Sequence, residues 1–338
     1  MREHDAKVLL SHGGGGRAAR DLVSGLIVRI FDNPVLRRME DASPVELPRE
    51  GRVFMTTDSF VVTPLFFPGG DIGRLAVCGT VNDLAAAGAA PAALSVGLIL
   101  EEGFPLERLE RVLVSMKQTA DGVPVPLVTG DTKVVEKGRG DGLYVNTTGV
   151  GVVPPGVELS PSRIQQGDAV LINGPVGNHE AAVTACREGF PSGPGLRSDC
   201  APLSGLVRAA LEAVPELRCA RDPTRGGVAA VLSEIVESRG LSLELDEEAI
   251  PVDREVQGLC ELLGMDPLMM ANEGKMLFFV PAPLAGRLLE ALREHPGGEH
   301  SRVIGEVRGP GTRLTLRTTL GTTRIVTMPA GDQLPRIC

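Results

Sequence analysis

A proline pair followed by glycine, Pro154-Pro155-Gly156, cuts this 338-residue chain near its middle. Proline cannot donate to a sheet ladder and does not sit inside a helix, so no regular element runs through this point. On both sides, β-branched runs alternate with helical repeats. Before the break, residues 52–58 and 143–153 read as strands. Residues 106–120 place Leu106, Leu109, Val112, Leu113 and Met116 on one helical face. After it, residues 168–174, 276–280, 302–308, 312–318 and 322–328 read as strands. Helical patterns fall near 180–187, 202–214, 226–238 and 284–294. The expected fold class is α/β, of the α+β kind, in two domains of similar size. These are residues 1–155 and 156–328, followed by a tail at 329–338 that is either mobile or docked in extended form.

Composition removes several function classes. A net charge of −9 and 3% aromatics without Trp argue against nucleic acid, which needs basic patches and stacking platforms. The six cysteines form no CxxC pair, so a zinc ribbon is excluded and a disulfide scaffold is not expected. The N-terminus has no apolar leader core, and the longest uncharged stretch, 84–100, is broken by Gly88 and Pro91. A cytoplasmic, soluble enzyme away from membranes is expected.

Several residues could carry chemistry. Gly13, Gly14, Gly15 and Gly16 precede a helical pattern through Leu22, Leu26, Ile27 and Ile30. Such a run lets backbone N–H groups approach an anion, and equally suits a flexible hinge. Asp58 and Asp131 each close an apolar run, in MTTDS and PLVTGDTK, as ligand-binding residues at sheet ends do. Asp83 falls on the buried stripe of a helix expected from Asp71 to Gly88, about 20° from Ile72 at 100° per residue. A buried carboxylate needs a partner, and Mg²⁺ on nucleotide phosphates is one. Each Asp alone is also compatible with a hydrogen bond or an ion pair; the three with the glycine run favour a metal–phosphate site. Thr132 and Lys133 follow Asp131, and Lys133 can hold phosphate or move a proton. Arg225, Gly226 and Gly227 precede a helix and form a possible anion site. Glu273, before the strand 276–280, is a candidate base, and His179 takes no assigned role. Cys78, Cys186, Cys200, Cys219 and Cys260 read as structural. Cys338, the last residue, stands on a tail long enough to reach a cleft.

In order, SHGGGGR, TTDSFVVTPLFFPGGDIGRLAVCGTVNDLAAAGAAP, VTGDTKVV, RDPTRGGV, ANEGK and terminal PRIC closely resemble the HypE family of hydrogenase maturation proteins, from residue 8 to 338. The internal motifs recur in the wider superfamily of aminoimidazole ribonucleotide synthetase, selenophosphate synthetase and thiamine-monophosphate kinase; the PRIC end separates HypE from them. The resemblance implies the two-domain ATP-binding fold, with N-terminal sheets pairing in a homodimer. It implies that Cys338 accepts a carbamoyl group from HypF, that ATP drives dehydration of the S-carboxamide to thiocyanate, and that the cyano group passes to iron on HypC–HypD. By the same resemblance Asp58, Asp83 and Asp131 hold Mg²⁺ with Asn82 close by. Gly13 to Gly16, Asn82, Asp83, Thr132 and Arg225 bind the nucleotide, and Lys133 and Glu273 deprotonate the carbamoyl nitrogen. The rival readings are a small-molecule kinase or synthetase of the same superfamily and a non-catalytic assembly scaffold.

Overall fold

The structure is a computed structural model that describes residues 7–40, 42–190, 195–328 and 334–338. It is a mixed α/β chain with two sheets of unlike design. The first contains β1 (Arg52–Phe60), β4 (Ala90–Glu101), β5 (Leu127–Val135) and β6 (Leu143–Val153), in the order β1-β6-β4-β5. A small hairpin, β2 (Phe66–Phe67) with β3 (Gly70–Asp71), lies between β1 and the first long helix. β4 and β5 run parallel because α4 (Leu106–Gly122) crosses between them; the other pairs are antiparallel.

One face of this sheet is dry. Leu94, Val96, Leu98 and Leu100 of β4 and Leu143 and Val145 of β6 meet α4 and α3 (Ile72–Ala86) there. α4 buries the stripe Leu109, Val112, Leu113 and Met116 that its period predicts. The opposite face is left bare: Val53, Met55 and Ile99 are 59%, 70% and 45% exposed.

α3 is the seam of the molecule. Asp71 caps it, accepting from Gly73 N at 2.7 Å and Arg74 N at 3.1 Å, and Gly88 (φ +77°) follows its end. Twelve of its residues are buried, since the first sheet covers one side and the second domain the other. Asn82 stitches the two. Its Oδ1 accepts from Leu203 N at 2.7 Å and its Nδ2 donates to Ala201 O at 3.1 Å and Glu273 O at 3.3 Å.

The second sheet holds β7 (Asp168–Ile172), β8 (Cys219–Arg221), β9 (Leu241–Asp246), β10 (Leu277–Pro281), β11 (Arg302–Pro310), β12 (Leu314–Arg317) and β13 (Thr323–Val326). Their order is β13-β12-β9-β11-β7-β10-β8. Helices cover both faces. α6 (Ser204–Ala213) and α9 (Ala285–Glu294) meet Ala169 and Leu171 on one side, and α7 (Gly227–Arg239) meets Val170 and Ile172 on the other. This explains why residues 168–172 form an unbroken buried run. α5 (Asn178–Glu188) and α8 (Arg254–Leu263) pack on each other at the end of the sheet.

Two local expectations change, and the tail takes one of its two expected forms. The N-terminal helix is not uniform: α1 (Gly16–Leu22) passes through a π-helical stretch, Val23–Val28, into α2 (Arg29–Phe31). Asp131 lies inside β5, because pairing with β4 continues to Val135. Residues 334–338 of the tail are docked, and 329–333 lie outside the described residues. Among the described residues no helix is long and apolar enough to cross a membrane.

Candidate active site

A cleft of about 540 Å³ opens between the two domains, within the usual range for small-molecule sites. β1 delivers Asp58, α3 delivers Gly79 and Asp83, the β8–α7 loop delivers Asp222 and Arg225, and the loop before β10 delivers Glu273. Cys338 lines the same cleft. Gly79 keeps α3 close to β1; a Cβ there would stand 2.9 Å from the Phe60 ring.

The cleft is rich in carboxylates and poor in cations. Burial pushes Asp58 up to about 6, helped by the charge of Asp83 and a hydrogen bond to it, while Arg225 pulls the other way. Asp83 also accepts from Thr56 Oγ1 at 2.6 Å. Asp222 is pushed up to about 7, mainly by burial and then by Asp83. Glu273, 3% exposed, is raised well above the usual carboxylate range by burial, then by Asp199 and Asp222. Four acids thus share one field, an arrangement that protons or a cation must relieve. No group of three or more His, Cys, Asp or Glu at metal-holding geometry occurs among the described residues. The Asp58–Asp83 pair instead offers the one or two carboxylates with which Mg²⁺ typically binds beside substrate phosphates.

Two loops fix these groups. Gly226 (φ +73°) and Gly227 (φ +62°) turn the chain into α7, and a Cβ on Gly227 would meet Met270 O at 2.5 Å. Asn272 ties this turn to the Glu273 loop. Its Nδ2 donates to Pro223 O at 3.0 Å and its Oδ1 accepts from Gly177 N at 2.7 Å. Asp199 accepts from Glu273 N and Gly274 N at 3.2 Å each and pairs with Lys275 Nζ at 3.1 Å. Gly274 lies so near that a Cβ would stand 1.8 Å from Asp199 O.

The sequence candidates therefore separate within one chain. Asp58, Asp83, Arg225, Glu273 and Cys338 converge. Asn82 is 3% exposed and spends its amide on the seam. Gly13, Gly15, Asp131, Thr132 and Lys133 line a different hollow of about 310 Å³, against Val23, Ile27 and Phe31. β5 and β1 are the two edges of the four-stranded sheet, so three strand spacings, ~14 Å, separate them. Asp131 and Lys133 share a face with Gly97 and Ile99, the bare one, whereas Asp58 sits level with Thr147 and Val96 on the dry one. Lys133 Nζ contacts Asp131 Oδ2 at 3.0 Å in an exposed pair. The single-chain cluster of Asp58, Asp83 and Asp131 that one continuous site requires is not formed, because the pleat turns Asp131 away. Gly13 is pressed on β5: a Cβ would stand 2.3 Å from Val134 N.

Asp222 was not singled out from the sequence. It follows β8 as the acids of end-of-strand sites do, so the same positional signal was present in RDPTRGG. His179 and Arg187 touch the tail rather than the cleft, which no short motif announces.

The first half, residues 39–153, matches the family model "AIR synthase related protein, N-terminal domain", and residues 165–317 match the C-terminal domain of the same family. The chain is 50% identical over 335 residues to a carbamoyl dehydratase HypE of Azotobacter vinelandii, covering 99% of this chain and 98% of that protein. Its structure is similar to a crystal structure of hydrogenase maturation protein HypE in complex with ATP, with a TM-score of 0.94, 43% identity, and 98% and 99% of the two chains covered. It is also similar to HypE in a crystallised HypE–HypF complex, with a TM-score of 0.80, 44% identity, and 91% and 99% covered.

Proposed function

This chain belongs to the HypE family of carbamoyl dehydratases, and from that premise we propose that its interdomain cleft dehydrates the carbamoylated thiol of its own Cys338. The observation that carries this reading is the position of Cys338, which lines the cleft with Asp58, Asp83, Asp222, Arg225 and Glu273. The thiocyanate so formed supplies cyanide ligands for the iron of [NiFe] hydrogenase. HypF is the carbamoyl donor, in keeping with the HypE–HypF complex of a relative. HypC–HypD receives the cyano group, and the cytoplasm is the site of action.

The chemistry asks three things of the residues. The carboxamide oxygen is a poor leaving group, so it attacks the γ-phosphorus of ATP; an O–P bond forms and the bond to ADP breaks. The C–O bond then breaks as phosphate departs, and the two N–H protons are lost to leave C≡N. Arg225 stabilises the charge on the phosphoryl oxygens. Glu273 accepts a nitrogen proton: buried among acids, its carboxylate is a stronger base than an exposed one. Asp58 and Asp83 would hold Mg²⁺, with Asp222 beside them, and when bound it neutralises phosphate charge.

Gly13 to Gly16, Asp131, Thr132 and Lys133 enter the site from a second copy. The bare apolar face with Val53, Met55 and Ile99 supports a homodimer built through the first sheet. In that assembly Lys133 would share the proton transfers with Glu273, Asp131 would add a carboxylate to those that hold Mg²⁺, and the glycine run would cover the phosphates.

The test is the intact mass of the C-terminal peptide after incubation with HypF, carbamoyl phosphate and Mg-ATP. A carbamoyl adduct on Cys338 that loses one water only when this chain's ATP site is competent establishes the reaction. An unmodified Cys338 beside an active HypF sinks it in favour of a kinase or synthetase of the same fold.

A further inference from the structure

The last residues of the chain lie in a groove between the first domain and α5, and each main-chain carbonyl from 335 to 338 is received there. Arg187 Nη1 donates to Pro335 O at 2.9 Å and Nη2 to Arg336 O at 2.7 Å. The same guanidinium anchors itself on Thr63 O through Nε at 3.0 Å and Nη2 at 2.7 Å. His179 Nε2 stands 3.0 Å from Ile337 O. A carbonyl only accepts, so Nε2 carries the proton and Nδ1 accepts from Ser198 Oγ at 2.8 Å. Thr63 N donates to Arg336 O and Val61 N to Cys338 O, at 3.2 Å each. The Ile337 side chain, 5% exposed, joins the core of the first domain. Arg336 holds a left-handed φ of +59°, donates from Nε to Val61 O at 2.9 Å, and pairs with Asp141.

We infer that Arg187 and His179 are positioning residues, a latch that reads the carbonyls of residues 335–337 and thereby presents the S-carboxamide of Cys338 to the acidic cleft. The inference rests on the dehydratase reading above and divides its two steps. Water loss takes place in the cleft that Cys338 lines, whereas loading is carried out by a second protein. The latch contacts therefore serve water loss rather than loading. A role limited to knitting α5 to the 61–63 segment would need only the bonds to Thr63; the guanidinium gives two further ones to the tail. Its planar fork spans two chain segments at once, which a lysine ammonium cannot reproduce.

The test uses the full-length chain, loaded by HypF with carbamoyl phosphate, and follows the tail peptide by mass through loading and through water loss. Arg187→Gln is expected to slow water loss by about tenfold or more while loading changes less than about twofold, as misplacement of a reacting group does. Arg187→Lys recovers only part of the loss. Water loss by Arg187→Ala is restored in part by added guanidinium, which a folding defect would not be. His179→Gln, which keeps an N–H donor, is expected to retain more of the rate than His179→Leu. Equal slowing of both steps, or unaltered water loss in Arg187→Gln, overturns the latch. A wild-type chain that loads but never loses water overturns the dehydratase reading itself, and the latch with it.

Discussion

At the scale of the residue, the cleft works by crowding carboxylates where water is scarce. Asp58 near 6 and Asp222 near 7 both stand above the 3.8 of a free aspartate, and burial is the first cause in each. A folded state with raised pKa values binds more protons than the unfolded chain between the two sets of values. Its stability is therefore full below about pH 4 on account of these groups and falls as pH rises through about 6 and 7. Asp222→Asn removes one of the two charges and is expected to flatten this decline, read as melting temperature across pH 4 to 8. A wild-type curve that rises over that range, with the variant unchanged from it, contradicts the assignment. Mg-ATP should stabilise most at the alkaline end, where the acids are ionised. Glu273 makes a kinetic prediction. Glu273→Gln removes the base but keeps the shape, so carbamoylated Cys338 should accumulate while its water loss slows by about 10²–10⁴-fold. Mass analysis of the tail peptide separates this from a loading defect; normal water loss would remove Glu273 from the chemistry.

The reach of the sequence is clearest at the scale of the element. α3 was legible in detail, since Asp71 as a cap, Gly88 past the end and an unbroken apolar pattern leave little else for 72–86 to be. The placement of Asp83 followed from the same period. What the period could not reveal was that α3 is buried on both sides, so that Asn82, one residue away, faces a second domain and spends its amide there. β5 shows the opposite failure. Asp131 was readable as a polar residue ending an apolar run, but which face of the sheet it occupies depends on register with β4, and a slip of one residue inverts it. The tail latch was illegible for a simpler reason: its donors and acceptors lie 158 and 148 residues apart, and half are main-chain atoms without a side-chain signature. For the seam, Asn82→Ala leaves Leu203 N and two carbonyls without their partner. It is expected to cost about 1–3 kcal/mol, measured by denaturant unfolding. A cost near zero would mean the two domains do not lean on this residue.

At the scale of the whole molecule, the two half-sites pose the sharpest question. One chain carries Asp58, Asp83, Asp222, Arg225 and Glu273 in one hollow and Thr132 beside another, while the side chains of Asp131 and Lys133 turn to the opposite face of the sheet. The face that bears Asp131 and Lys133 is also the face that exposes Met55 and Ile99. Apolar area of this kind favours a second sheet laid against it, and a two-fold arrangement uses the same patch on both copies. Two copies so arranged would make two complete sites, each drawing its acids from one chain and Lys133 from the other. Met55→Lys puts a charge into that contact, so sedimentation should report a monomer, and water loss from loaded Cys338 should fall with dimer content. Complementation carries the argument further. Lys133→Ala and Asp83→Ala chains are each expected to be inactive alone. Co-expressed, half of the dimers are mixed, and one of the two sites in a mixed dimer has both residues intact, so about a quarter of wild-type activity returns. In a site built from a single chain the mixture stays as inactive as its parents, and an active Met55→Lys monomer would place all the machinery in one copy.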